Sequence, residues 1–299
     1  MAAELQLDSL FSVKERVALV TGGGSGIGLM CARALAANGA KVYIVGRTEE
    51  KLEVSAKEHG EGLSGQLIPI VADITKKSEL EKLVKEIESK EKCLCILVNN
   101  AGISGTSEGP QSTNASGGTE GSPEGETAQE LKDNLWGAKD DFDTWTDIYR
   151  TNVAALYYTS VAFLPLLESA SKHHHGYSGT IINITSISGL TKQAQNHFAY
   201  NSSKGAAIHL NEMLATELAN NGIKIRVNSI APGVYPSEMT AKESDDKNQS
   251  QLEKKEFQGI PAKRPGHERD MANACIFLAT NQYLNGVTVP VDGGWLLVN

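Results

Sequence analysis

The chain of 299 residues lacks several things, and each absence removes a class of function. It has no excess of positive charge, since 28 Lys and Arg against 36 Asp and Glu leave a formal net charge of −8. A surface for nucleic acid or for an anionic membrane is therefore not expected. No apolar run approaches the roughly 18 residues that cross a bilayer, and the stretch Met1-Ala2-Ala3-Glu4-Leu5-Gln6 has neither the basic nor the apolar region of a signal peptide. Only four cysteines are present, Cys31, Cys93, Cys95 and Cys275, with no C-x-x-C pair. That spacing argues against a disulfide framework or a zinc site and points to a reducing compartment, so a cytoplasmic location is the expectation. Cys93 and Cys95 alternate within an apolar run and read as core strand residues.

What the chain does have is an alternation of short apolar runs with helical stretches. With 40% hydrophobic residues, it can fill one large α/β core, although the length alone also allows two domains. Arg16 to Val20 is a strand that stops at Thr21-Gly22-Gly23-Gly24-Ser25-Gly26-Ile27-Gly28, after which Leu29 to Asn38 reads as helix ending at Gly39. Glycines allow a tight turn and close approach to a ligand, and a helix N-terminus presents N–H groups to a pyrophosphate. Strand, glycine turn and helix in that order point to a dinucleotide.

The next strand, Lys41 to Val45, ends in Gly46-Arg47-Thr48. An NAD site usually carries an acid here for the ribose 2′-OH. The acid is missing, Gly46 leaves room, and Arg47 offers a planar cation suited to a 2′-phosphate, so NADP(H) is expected over NAD(H). The alternative is that Arg47 is a solvated loop residue. Glu49 to His59 reads as helix, Gln66 to Val71 as strand ending at Asp73-Ile74, Ser78 to Lys90 as a helix capped by Ser78, and Cys93 to Val98 as a fourth strand before Asn99-Asn100-Ala101-Gly102. This alternation predicts a doubly wound parallel sheet, a Rossmann fold, in a single domain over 1–299.

Tyr200-Asn201-Ser202-Ser203-Lys204 lies in a further helical stretch. At i and i+4 the two side chains face the same way, with Cβ atoms roughly 5–6 Å apart. A nearby ammonium favours the phenolate, so Lys204 is expected to lower the Tyr200 pKa toward the range useful for proton transfer.

Taken together, Thr21-Gly-x-x-x-Gly26-x-Gly28, Asn99 to Gly102, Asn152, Ser186, Tyr200-x-x-x-Lys204, Pro232-Gly233 and Asp292-Gly293-Gly294 resemble the short-chain dehydrogenase/reductase family over about residues 12 to 298. The resemblance implies an NADPH-dependent oxidoreductase that moves hydride between nicotinamide and a ketone or secondary alcohol, with no metal. Tyr200 would be the general acid or base, assisted by Lys204, and Ser186 would hydrogen-bond the carbonyl. Asn152 would fix a water linking Lys204 to solvent, or else be a buried Asn satisfied by backbone. Gly22, Ser25, Gly26, Ile27, Gly28, Asn99, Ala101, Gly102, Pro232 and Gly233 would hold the cofactor, as would Tyr200 and Lys204. Asp73 would bond its adenine and Ile74 would pack on it.

Ser186 precedes Tyr200 by 14 residues, one more than the family's usual spacing, so Ser188 stays a competitor. That spacing and Pro232 to Thr240 are similar to ketoacyl-type reductases of rhamnolipid pathways and to fungal relatives. The resemblance also implies a homo-oligomer, a tetramer or dimer, with Leu156, Phe163, Ile208 and Leu210 as interface candidates unless each packs against the sheet. Two other classes are open: a non-redox isomerase or cyclase on the same scaffold, and a dinucleotide-sensing binding protein. The intact Ser, Tyr and Lys argue against both.

Two stretches depart from the pattern. Residues 104–127 are almost all Gly, Ser, Thr, Glu, Pro and Gln, a composition that cannot bury itself. They are expected to be a neutral insertion rather than a substrate lid. Residues 234–264, polar and charged from Ala241 to Phe257, are expected to be the lid over the substrate or a solvated helix. His173-His174-His175 reads as surface loop.

Overall fold

A computed structural model describes residues 5–105, 127–137, 141–194, 197–241, 245–250, 252, 257 and 259–299. In chain order the elements are α1 (Leu7–Leu10), β1 (Val17–Thr21), α2 (Gly26–Ala37), β2 (Lys41–Gly46), α3 (Glu49–Gly60), β3 (Gln66–Val71), α4 (Lys77–Lys90) and β4 (Ile96–Asn99). They continue with α5 (Ala128–Trp136), α6 (Phe142–Tyr149), a π-turn at Arg150–Ala154, α7 (Ala155–Ala162), α8 (Leu164–His173) and β5 (Gly179–Ile184). A 3₁₀ turn at Ile187–Gly189 precedes α9 (Phe198–Asn220), β6 (Ile225–Pro232), α10 (Glu238–Ala241), α11 (Glu268–Thr280) and β7 (Thr288–Val291).

The seven strands form one sheet in the order β3-β2-β1-β4-β5-β6-β7, and every pairing is parallel. β4, β5 and β6 are buried along their whole length, as parallel strands covered on both faces must be. Pro69 sits on β3, at the edge of the sheet where a missing N–H costs least. One face packs α2, α3 and α11 through Leu35, Leu52 and Met271. The other packs α4, α7 and α9 through Leu83, Leu156 and Leu214. The strand order reverses between β1 and β4, which opens a crevice at the carboxyl ends of these strands.

Some expected boundaries move. α4 begins at Lys77, with Lys76 at the N-cap and no side-chain cap, so Ser78 lies inside the first turn and does not cap it. The preceding turn is closed instead by Asp73, whose carboxylate accepts from the Thr75 N–H at 3.0 Å. The β4 ladder starts at Ile96 and not at Cys93, because the Leu94 N–H leaves the sheet for the Leu166 carbonyl. Both cysteines are nevertheless buried. Two interface candidates are also excluded, since Leu156 and Phe163 fill this chain's own core. Leu210 is partly buried against the same core.

Most of the 104–127 insertion lies outside the described residues, but its two ends do not. Gly105 lies against Ile148, and Thr127 caps α5 by accepting from the Glu130 N–H while Glu130 accepts from the Thr127 N–H. The stretch expected to be dispensable thus narrows to 106–126. Replacing it with a short Gly/Ser linker is expected to move the melting temperature by no more than about 2 °C, because a surface change costs about half a kcal/mol or less. Calorimetry that finds a larger drop would contradict the compositional reading.

Candidate active site

The crevice is a groove of about 630 Å³, within the usual range of small-molecule sites. One end is built by the β1–α2 turn. A Cβ on Gly28 would stand 2.2 Å from the Gly22 carbonyl oxygen and 2.4 Å from Asn100 Nδ2, so no larger residue lets helix and strand come this close. Gly22, Ser25, Gly26 and Ile27 line the groove, and Ser25 does not cap α2 with its side chain. The first-turn amides of α2 are thus left to a ligand, as a pyrophosphate requires. Gly28 supports the turn from behind and does not itself line the groove.

The end of β2 brings exposed Arg47, with Thr48 and Lys51, to the same groove. Asp73 and Ile74 line it beyond the end of β3. Partial burial pushes the Asp73 carboxyl up, but hydrogen bonds from Thr75 and the Lys76 charge more than offset this and leave it below its ordinary value. It is an ionised acceptor at neutral pH. These residues fit a dinucleotide bearing an extra phosphate: glycine turn, open helix terminus, ionised carboxylate and a pair of cations.

At the end of β4 the two asparagines part company. Asn99 was expected to hold the cofactor, yet its amide turns inward and donates to Ser160 Oγ and to Asn183 Oδ1, both at 2.9 Å. Asn183 in turn donates to Asn211 Oδ1 of α9. Successive strand residues face opposite ways, so Asn100 lines the groove and donates at 3.1 Å to the Thr21 and Gly22 carbonyls, tying the glycine turn to β4. Ala101 and Gly102 follow it into the groove wall.

The other end of the groove is made by β5, β6 and α9. Ser186, Tyr200, Lys204, Pro232 and Gly233 all line it. Ser186 stands in extended backbone at the start of the 3₁₀ turn and its Oγ accepts from the Ser188 N–H at 3.1 Å. Ser188 does not line the groove. The turn lies hard against α9, since a Cβ on Gly189 would be 2.6 Å from the carbonyl carbon of Lys204. This backbone contact sets Ser186 beside Tyr200.

Lys204 is 5% exposed. Its Nζ donates to the Ile184 carbonyl at 3.1 Å and stands 5.6 Å from the Tyr200 ring centroid. Burial pulls its pKa down to about 8. Tyr200 moves the opposite way from expectation. Burial raises its pKa above the ordinary phenol value, and the hydrogen bond with Ser186 only partly opposes this. The Lys204 charge is turned toward the Ile184 carbonyl, and desolvation of the phenolate prevails. The phenol is therefore protonated at neutral pH, the form required to give up a proton.

Asn152 lies in the π-turn and is buried. It donates to the Ile103 carbonyl at 2.9 Å and to Ser203 Oγ at 3.0 Å, and it accepts from the Ile103 N–H at 2.9 Å. Its amide is satisfied within the protein, as one of the two readings of the sequence held, and it does not line the groove. What it does is anchor the loop after Gly102 to α9.

Sequence reasoning missed Asn100, Lys51 and the anchorage of the segment after β6. After β6 the chain passes over Gly26, where Ser237 Cβ would be 3.1 Å from an added methyl, and then docks on α3. Glu238 pairs with Lys51 at 2.6 Å and Lys247 with Glu58 at 3.4 Å. Asn248 donates to the Lys51 carbonyl and to Ser55 Oγ. Residues 245–250 form a turn rather than a helix. Residues 242–244, 251, 253–256 and 258 of the same segment lie outside the described residues.

Fold and groove together define a dinucleotide-dependent enzyme, and comparison with known proteins agrees. Residues 16–118 match the family model described as short chain dehydrogenase, and residues 132–296 match that described as enoyl-(acyl carrier protein) reductase. The chain belongs to the short-chain dehydrogenase/reductase family, whose members are oxidoreductases acting on the CH–OH/C=O pair. It is 39% identical over 294 residues to a short-chain dehydrogenase/reductase, PhomF′, of Diaporthe leptostromiformis, covering 97% of this chain and 94% of the relative. It is 32% identical over 292 residues to the rhamnolipids biosynthesis 3-oxoacyl-[acyl-carrier-protein] reductase of Pseudomonas aeruginosa, covering 96% and 98%. Among solved structures, the RhlG/NADP active-site complex of Pseudomonas aeruginosa superposes with a TM-score of 0.75 at 30% identity, covering 96% of this chain and 98% of that one.

Proposed function

We propose that this enzyme reduces a ketone at the expense of NADPH, with Tyr200 as the general acid. The observation that carries the reading is that Tyr200, Ser186 and Lys204 line the same groove as the glycine turn and Arg47. When bound, the dinucleotide supplies the hydride. The Tyr200 phenol, held protonated by burial, gives its proton to the carbonyl oxygen as charge develops there. The Ser186 hydroxyl donates to the same oxygen and stabilises it. Lys204, cationic at pH 7 with a pKa of about 8, stabilises the phenolate left behind. Asn152 holds Gly102 and Ile103 against α9, and the segment after β6 covers the glycine turn and excludes water.

The substrate class rests on likeness. A relative named 3-oxoacyl-[acyl-carrier-protein] reductase and the fungal short-chain dehydrogenases support a β-keto or polyketide-like compound of modest polarity. The test is NADPH oxidation against a panel of such ketones, with simple quinones and sugars as comparators. Failure with every ketone would sink the reading.

NADPH over NADH is supported by Arg47 and Lys51, with no carboxylate ending β2. Arg47→Ala is expected to weaken NADPH by about 10- to 100-fold, the worth of a charge-assisted hydrogen bond, and to leave NADH within about twofold. Calorimetric titration of both cofactors decides it, and an equal loss for both would count against Arg47.

The chain is taken as one dinucleotide-binding unit, with 104–127 as its insertion and 234–264 as its lid. Among the described residues no single helix is long and apolar enough to cross a membrane. The four cysteines are buried free thiols, which supports a reducing, cytoplasmic setting. A homotetramer is supported by apolar side chains that α7 and α9 leave exposed, among them Tyr157, Val161 and Met213, between 38% and 54% accessible. Light scattering at micromolar concentration should give four chains per particle, or two if only one of these faces pairs, and a monomer would refute the assembly.

A further inference from the structure

The amino-terminal edge of the sheet, opposite the active site, carries a second cluster of reactive side chains. Cys93 and Cys95 lie just before β4, both buried, with Sγ atoms 3.9 Å apart. His174, part-buried where α8 ends, brings a ring nitrogen close to them, and the three ligand atoms all lie within 4.8 Å of one another. Among the described residues this is the one group of three metal-ligating side chains so arranged. We propose that Cys93, Cys95 and His174 bind one thiophilic divalent cation of the zinc type, as a structural clip between the start of β4 and the end of α8.

The geometry suits that ion. Two thiolates on a tetrahedral zinc, each at about 2.3 Å, stand about 3.8 Å apart, which is the separation already present. The cysteines are two residues apart with their sulfurs in contact, so both point to one side. Cys95 is pinned by its N–H to the Val17 carbonyl at 2.8 Å and by its carbonyl to the Thr180 N–H at 2.9 Å. His174 is held by its N–H to the Ala170 carbonyl at 2.9 Å and by its ring edge against Tyr177. His174 lies near Gly176, where an added Cβ would meet nothing within 4 Å, so there is room for the ring to approach the two sulfurs. Three protein ligands leave a fourth position for water. Each thiol gives up its proton on binding, so uptake of one ion releases two protons, and the resulting dithiolate complex is neutral. Arg16, over the Tyr177 ring at 4.4 Å, adds a cation that favours the thiolates. The second buried thiol pair, Cys31 and Cys275, belongs to no such group.

The test uses the full chain, reduced, without a histidine tag, and with Co²⁺ and Zn²⁺ as probes. One equivalent of Co²⁺ should produce a sulfur-to-cobalt charge-transfer band that Zn²⁺ abolishes, and Zn²⁺ should raise the melting temperature without altering reductase turnover. Cys93→Ser should weaken binding by more than about 100-fold and His174→Ala by about 10-fold or more, in line with the sensitivity of metal sites even to indirect supports. His175→Ala should bind as the parent does. If Cys93→Ser does not fold, His174→Ala at its part-exposed helix end carries the comparison. No charge-transfer band in the parent, or a band and affinity unchanged in His174→Ala, overturns the site. So does binding lost only when His173 and His175 are removed, which would be adventitious capture by the histidine run.

Discussion

Tyr200→Phe is expected to lower turnover by about 10²- to 10⁴-fold, the usual worth of a positioned general acid, while leaving NADPH affinity within about twofold. The substitution removes one hydroxyl and keeps the ring, so the packing of α9 against the turn at Ile187–Gly189 is retained. The split between an intact dissociation constant and a collapsed turnover is the diagnostic result. The pH profile follows from the same group. Because burial raises the Tyr200 pKa, the acid form persists through neutral pH, and ketone reduction should hold until the pH passes the Lys204 value of about 8 and then decline. Alcohol oxidation needs the phenolate and should rise over the alkaline range. Near-parental reduction by Tyr200→Phe would require another acid, with Ser186 or a bound water to be reconsidered.

Lys204→Met should abolish most turnover and weaken NADPH, yet it should change stability in an unusual direction with pH. The Lys204 pKa falls from the ordinary 10.5 to about 8 in the folded protein, so the unfolded chain binds the proton more tightly. Stability of the parent is therefore lowered at all pH values below about 8 and recovers as the pH rises from about 8 toward 10.5. A shift of this size corresponds to about 3 kcal/mol. Methionine has no such dependence. It leaves the Ile184 carbonyl without its donor, at a cost of about 1–3 kcal/mol, which roughly offsets the gain at neutral pH. Urea unfolding at pH 7 should find the two proteins close in stability, and at pH 10 the parent should have gained relative to the variant. A difference that stays constant between these pH values would show that Lys204 is not buried in its charged form.

Much of this was legible in the chain. The alternation of apolar runs with helical stretches, the glycine turn between β1 and α2, and Arg47 at the end of β2 are local patterns, and each reports a local geometry. Tyr200 and Lys204 share one face of α9 because the helical period puts them there. The choice between Ser186 and Ser188 was less legible. A 3₁₀ turn sends one hydroxyl to the groove and the other away, and spacing from Tyr200 does not distinguish them.

Other features depended on layers distant in sequence. Asn99 and Asn100 are equivalent as letters, and only the pairing of β4 with β1 and β5 sends the first inward to Asn183 and the second to the groove. The fate of Leu156 and Phe163 depended on which helix face met the sheet. So did the meeting of Cys93 and Cys95 with His174, some eighty residues on, which the sequence presented as core strand and surface loop. The sequence by itself determined the order of elements, the cofactor turn and the Tyr–Lys pair, because periodicity and glycine freedom are properties of neighbouring residues. Only the tertiary structure decided the sign of the Tyr200 shift, because desolvation is the work of everything packed around the phenol, and here it outweighs the Ser186 hydrogen bond that opposes it.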